Sequence, residues 1–370
     1  MKKSLFVIVF PLFVLTVLIP YANACTTWMV FSDMTGNGTN ILHKNRDSKL
    51  RNVSVVLSPA GNPRKWVALG NDVYTAMGMN SSGLAGAVNS GERCIDPPAV
   101  KGRKDTTEML KAVLDSCDTA AQAVDKIREL VNAGDYSHGQ KGSIFSFLDR
   151  NEGYVCEVTA KFCSVQRYDN GFTVRANIWQ NPNMYQMSRN SLVLHLNSSI
   201  RAYVVISELN KVLDLNKKIT LSDNFAISRH CQLPDDIQQK RSVCYMNTNS
   251  AADMEIDRRY PDVLSTMYAA AGHPRHTVYL PVPVCAEKIL PSMKNINWSK
   301  ASYDRLNKLK YDAQIPAEWT RFEADSMAEY AKAKDAARKL LDAGKRAEAV
   351  KLMNSTAEKI WISAEKLLKI

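Results

Sequence analysis

Residues 22–28 read ANACTTW, and the chemistry open to this stretch depends on where the chain is cut. A thiol is a weak nucleophile until a base takes its proton. If Cys25 becomes the first residue, its own α-amine, which titrates near pH 8, can serve as that base without any histidine. Such a site needs a carboxylate to hold the amine. It also needs donors such as Asn or backbone N–H for the oxyanion of a tetrahedral intermediate. The competing fate of Cys25 is lipidation, which would block amine and thiol together and leave a non-catalytic envelope protein. Lipidation wants a Leu-like residue three positions before the cysteine, where this chain has Ala22, and Asn23 fits the next position poorly.

The residues ahead of Cys25 read as a leader. Lys2 and Lys3 form a basic start, residues 5–19 are apolar apart from Pro11 and Thr16, and Ala22 and Ala24 are the small residues of a cleavage site. The run is short for a membrane span, so no stable span is expected. Cleavage between Ala24 and Cys25 would release a secreted or periplasmic protein.

The full chain has 370 residues, 45% of them hydrophobic, which leaves ample length for a large core. Its formal charge of +11 is scattered, and the C-terminal region alternates Lys with Glu. No arginine-rich arm or aromatic stacking platform accompanies it, which argues for a solvated basic surface and against nucleic acid as a partner. A homo-oligomer is compatible with the sequence but nothing specifies it.

Export permits disulfides, and of the 8 cysteines Cys156 with Cys163, and Cys231 with Cys244, are the plausible pairs. No CxxC is present. His230, His273, His276 and Cys285 have no standard ligand spacing, so neither a metal nor a papain-like Cys–His pair is expected, and no cofactor is implied.

The elements that must position Cys25 are mostly strands. TTWMVF (26–31) and ILHKNRD (41–47) flank the turn residues TGNGTN and read as a hairpin. Strands follow at 53–58 and 65–70, then on either side of the turn Asn80-Ser81-Ser82-Gly83. Helical spacing over 106–131 predicts one or two helices, and strands resume at SIFSFLD, GYVCEVTA, SVQRYD and GFTVRANIW. Helices are expected over roughly 188–213 and 220–229. SVCYMNTNSAADMEI and TVYLPVPVC are the last strands, and the chain is helical from about Ala317 with a break at Gly344. Hairpin-linked strands favour an α+β arrangement of antiparallel sheets with helices on their outer faces.

CTTWMVF followed by GTNILHKNRDS resembles the opening of the cysteine-type N-terminal nucleophile hydrolases, which include bile salt hydrolases, penicillin V acylases, certain dipeptidases and the acyltransferases of penicillin biosynthesis. Four later segments extend the resemblance over residues 25–285: GMNSSGLAGAVNS, TVRANIW, NSSIRAY, and the closing hairpin YMNTNSAADMEI to HTVYLPV. The resemblance implies a four-layer αββα sandwich over residues 25–290, with residues 291–370 a helical extension for packing or oligomerisation. It carries the nucleophile onto Cys25, the amine-holding acid onto Asp47, oxyanion donors onto Asn89 and Asn177, and a site arginine at a helix start onto Arg201. Lys44 and Arg46 are expected to shape the charge of the substrate pocket. Lys44 stands where the bile salt hydrolase branch commonly has Arg, so the charge is kept and the bidentate fork is lost. The implied activity is hydrolysis of a linear, non-peptide amide in a small N-acyl substrate through a Cys25 acyl-enzyme. Acyl transfer or dipeptide cleavage by the same nucleophile is the alternative.

Overall fold

The structure is a computed structural model that describes residues 24–70, 75–98, 103–190, 192–215, 217–231 and 242–370. The leader, residues 1–23, lies outside the described residues, and the strand predicted from Ser242 begins only at Thr248.

Among the described residues thirteen strands form two antiparallel sheets. One has β1 (Cys25–Val30), β2 (Asn40–Asp47), β10 (Phe172–Arg175), β11 (Thr248–Ile256), β12 (Thr266–Ala271) and β13 (Leu280–Pro283), in the order β10-β1-β2-β11-β12-β13. The other runs in sequence order through β3 (Ser54–Leu57), β4 (Trp66–Gly70), β5 (Thr75–Asn80), β6 (Ala85–Arg93), β7 (Lys141–Leu148), β8 (Gly153–Val158) and β9 (Cys163–Tyr168). Side chains alternate across each strand, so Met29 and Leu42 of the first sheet and Met77, Met79, Ala85 and Ile144 of the second meet in one apolar layer between the sheets.

Helices cover both outer faces. α1 (Thr106–Ser116) and α2 (Ala120–Asn132) lie on the seven-stranded sheet. Leu110, Val113, Leu114, Ala123 and Ile127 pack there against Trp66, Phe145 and Phe147. α1 opens with a capping box, Asp105 accepting from Thr107 and Glu108 while Glu108 reaches back to the Asp105 N–H, which stabilises the helix start by about 1 kcal/mol. Gly86 lets α1 approach closely, because a Cβ there would lie 2.7 Å from Leu110. A short α3 (Pro182–Tyr185) follows β10. α4 (Leu192–Asp214) and α5 (Leu221–Ser228) then cover the β10-β1-β2-β11 part of the six-stranded sheet.

α6 (Pro261–Leu264) joins β11 to β12, and the chain ends in α7 (Pro291–Lys294), α8 (Asn297–Lys308), α9 (Ala317–Asp342) and α10 (Arg346–Leu368), with Gly344 at φ +73° making the turn between the last two. α9 and α10 belong to the same apolar cluster as the sheets: Tyr330, Ala337, Met353, Ile360 and Trp361 pack with Tyr268, Tyr279, Leu280 and Val282. Buried polar contacts fasten them. Arg229 makes a two-pronged pair with Glu323 at 2.7 and 2.6 Å, Glu323 also accepts the Tyr279 N–H, and Lys334 pairs with Glu255. The protein is thus an α+β, four-layer αββα sandwich, with C-terminal helices docked on its β12–β13 end. Among the described residues no helix is long and apolar enough to cross a membrane. β12 and α6 were not assigned from the sequence pattern, and the strand predicted over 171–179 stops at Arg175.

Candidate active site

Cys25 starts β1, a strand flanked on both sides, with Arg46 opposite it on β2. The pleat turns Cys25 and Thr27 toward the second sheet and Trp28 toward the helices, where its indole donates to Asn224 of α5. On β2 the same alternation sends Lys44 across to β6, while His43, Asn45 and Asp47 emerge on the helical face. His43 stacks on Trp28 at 3.7 Å between ring centres and bridges Asp253 of β11, at 2.9 Å, and Asn45, at 2.8 Å. This fully buried network pins β2 to β11 on either side of Lys44.

Three of the predicted residues meet at one oxygen. The Cys25 nitrogen donates to Asn177 Oδ1 at 2.7 Å, and Arg201 Nη2 donates to the same oxygen at 2.6 Å. Asn177 Nδ2 donates to the Ser90 carbonyl at 2.7 Å, so its amide orientation is fixed from both ends and one N–H remains for another acceptor. Asn177 sits in the loop after β10, held by the buried Trp179. That ring rests on Gly91 and Gly142, where a Cβ on either would lie 2.5 Å from it.

Lys44 reaches Cys25. It is completely buried, and its ammonium donates to Asn89 Oδ1 at 2.6 Å and the Val88 carbonyl at 2.8 Å while also hydrogen bonding with the Cys25 thiol. Burial holds this ammonium below the usual lysine range, and the neighbouring Cys25 works against that shift. Arg46, nearly buried, adds positive charge to the same group.

Asp47 is 1% exposed, and its Oδ1 accepts from Thr248 at 2.6 Å. Its other oxygen is buried without a hydrogen-bond partner. Burial pushes this carboxyl up to about 7, against the pull of Arg201, the Thr248 hydroxyl and Lys44. The buried Tyr245 faces the same cluster. Burial and then the Asp47 charge raise its phenol, and it also senses Arg201 and Cys25.

Two expectations change. Arg201 stands nine residues into the 23-residue α4 rather than at a helix start, and it reaches the site from the outer layer. Asn89 was expected to donate to an oxyanion. Instead its Oδ1 accepts from Lys44 and from Thr27 at 2.8 Å, and its Nδ2 donates to the carbonyls of Arg175 at 3.3 Å and Ala176 at 3.2 Å. In this arrangement Asn89 holds Lys44 through its Oδ1.

The cysteines and histidines away from Cys25 form a separate picture. All eight cysteines are free thiols, so neither Cys156 with Cys163 nor Cys231 with Cys244 is bridged, although the first pair share a hydrogen bond. Sequence reasoning set aside a second Cys–His pair, yet Cys244 and His273 lie 3.7 Å apart. Both are buried, and burial raises the thiol while it lowers the imidazole, so the pair stays neutral and closed to substrate. Thr248, Ser90, Trp179 and Tyr245 escaped sequence analysis because nothing local distinguishes them.

The class defined so far is an αββα sandwich with a cysteine heading a central strand, its nitrogen and sulfur both held by polar side chains. No family model and no curated protein matches the chain. Solved structures similar to it include penicillin V acylase from Agrobacterium tumefaciens, at 15% identity and a TM-score of 0.46 over 70% of this chain and 86% of that one. A variant of conjugated bile acid hydrolase from Clostridium perfringens is 12% identical, with a TM-score of 0.46 over 78% of this chain and 95% of that one. The Caenorhabditis elegans ortholog of N-acylethanolamine-hydrolyzing acid amidase is 14% identical, with a TM-score of 0.41 over 64% of this chain and 93% of that one.

Proposed function

We propose that this chain is an exported cysteine amidohydrolase of the N-terminal nucleophile class, activated when the leader is cut between Ala24 and Cys25. The observation that carries the reading is the environment of the Cys25 nitrogen. Any buried backbone N–H needs an acceptor, but here the acceptor is a side-chain oxygen 152 residues away, Asn177 Oδ1, which also accepts from the buried Arg201.

Cleavage turns that nitrogen into an α-amine. Arg201, across Asn177, disfavours a second positive charge and so keeps the amine unprotonated and ready to act as base, whereas Asp47 favours the ammonium once it forms. Balanced between them, the amine can take the Cys25 proton and return it to a leaving group. Lys44 stabilises the sulfur as a thiolate while it attacks an acyl carbon. The remaining N–H of Asn177 is available to the oxyanion as the tetrahedral intermediate forms. Collapse expels the amine half of the substrate, protonated by the α-ammonium, and leaves a thioester on Cys25. Water then attacks the thioester with the α-amine again as base, releasing the acid and the thiol.

The test begins with the intact mass and N-terminal sequence of the exported protein, where Cys25 must be the first residue. A diacylglyceryl adduct at that position would end the enzyme reading. The protein is then assayed against a panel of N-acyl amides beside Cys25→Ser. Turnover by wild type with loss of at least a hundredfold in the variant is expected, and equal turnover would rule out the thiol mechanism. A chain with one untrimmed Met ahead of Cys25 should be inactive, because its amine is one residue out of place.

A further inference from the structure

β8 puts a carboxylate where its pattern calls for an apolar side chain. Cys156 and Val158 join the cluster under α1 and α2, whereas Val155 joins the apolar layer between the sheets. Alternation therefore turns Glu157 into that layer, opposite Ile144 of β7. Glu157 is 1% exposed, and a carboxylate without partners in such a place is costly. Its partners come from the loop after β10. Oε1 accepts the Gln180 N–H at 2.7 Å, and Oε2 accepts the Asn181 N–H at 3.1 Å. Arg175 Nε stands off at 3.8 Å from Oε1, while its Nη atoms are taken up by Thr173, Val174, Gln166 and Tyr168. Burial raises the Glu157 carboxyl above the ordinary glutamate range, and the two loop N–H groups oppose that shift ahead of Arg175.

Neither Gln180 nor Asn181 belongs to a strand, so a group outside the sheet ladders has to answer their N–H groups. The loop is closed at its near end by Asn89, whose Nδ2 donates to the carbonyls of Arg175 and Ala176. Glu157 closes it at the far end, where the Asn181 side chain also accepts from the Asn183 N–H to start α3. Asn177 and Trp179 stand between these two ends. We propose that Glu157 is the positioning residue of the oxyanion donor: its two-oxygen grip on Gln180 and Asn181 sets where Asn177 Nδ2 stands beside Cys25. Offsetting Arg175 would need only a charge, whereas two directed N–H bonds need both carboxylate oxygens in place. The kinetic consequence rests on the amidase reading, but the grip itself does not.

The grip is read without turnover by hydrogen exchange, followed by mass on a peptide of the exported protein that spans the Asn177 loop. Glu157→Gln keeps the size of the side chain but sets an NH2 group against one of the two N–H donors. Exchange in that peptide should quicken about tenfold or more, with β1 and β2 unchanged. Unchanged exchange overturns the proposal. The second measurement compares two reactions of Cys25. Hydrolysis of an N-acyl amide passes through an oxyanion, whereas alkylation by iodoacetamide does not. In Glu157→Gln kcat should fall about tenfold or more with little change in KM, and the alkylation rate should stay within about twofold. An unchanged kcat, or an equal fall in both reactions, overturns the positioning role. Glu157→Asp keeps the charge beside Arg175 but draws both oxygens back from the loop. The same split is expected of it, and it decides the matter if Glu157→Gln fails to fold. If wild type cleaves no amide, the amidase reading fails and hydrogen exchange alone decides the grip.

Discussion

Asp47 shows how far one buried carboxyl can set the working pH. Its pKa lies about 7 in the folded chain, above the 3.8 of an unperturbed aspartate. Between those values the native state keeps a proton that the unfolded chain has released. Stability therefore falls as pH rises through this window, by at most about 4 kcal/mol. Urea unfolding at pH 4.5 and 7.5 should show Asp47→Asn gaining stability relative to wild type at the higher pH. The same variant should lose activity, and wild-type kcat/KM should rise with pH as Asp47 ionises toward pH 7. Lys44 makes the second prediction at this scale. Lys44→Met removes the charge beside the sulfur and should lower kcat/KM by about a hundredfold or more. The alkylation profile of Cys25 should move to higher pH in that variant, which a purely structural loss would not produce.

At the scale of elements, the site depends on a loop and a helix that bring polar groups to the end of β1. The loop after β10 carries Asn177 and is braced by Trp179 lying on Gly91 and Gly142. Gly91→Ala places a methyl 2.5 Å from the ring and should displace the loop. A fall of about a hundredfold in kcat with a smaller change in KM is expected, since a misplaced catalytic group costs on that order. Thermal unfolding measured beside the assay should show a Tm loss too small to account for it. α4 acts by a different route. Arg201 leaves the middle of the helix, where the dipole field is weak, so its orientation comes from Asn177 and Ser198 rather than from the helix end.

At the scale of the whole molecule, the last two helices share the core of the sandwich. α9 and α10 share an apolar cluster with the six-stranded sheet, and the Arg229–Glu323 pair is buried between them. Glu323→Ala leaves Arg229 uncompensated and should cost about 3–5 kcal/mol, measured by denaturant unfolding. Truncation after Pro316 should yield an unfolded chain rather than a smaller active one, because it exposes Tyr268, Tyr279 and Val282. A single unfolding transition in the full chain is the companion expectation.

The sequence alone carried most of the elements and singled out Cys25. Strand alternation, helical spacing and turn residues are local, so β1, β2, α1, α2 and the Gly344 break could be read from short windows. Small residues before Cys25 and an acid after a hairpin are local signals too. What only tertiary structure decided is which atom each site residue uses. Asn89 lies 45 residues from Lys44 and Asn177 lies 152 from Cys25, and no local pattern encodes those pairings. Sheet register sets them, because a strand's side chains face whatever the opposing sheet and helices present. That is why an expected oxyanion donor at Asn89 became the acceptor that holds Lys44 against the thiol, and why the arginine comes from mid-helix.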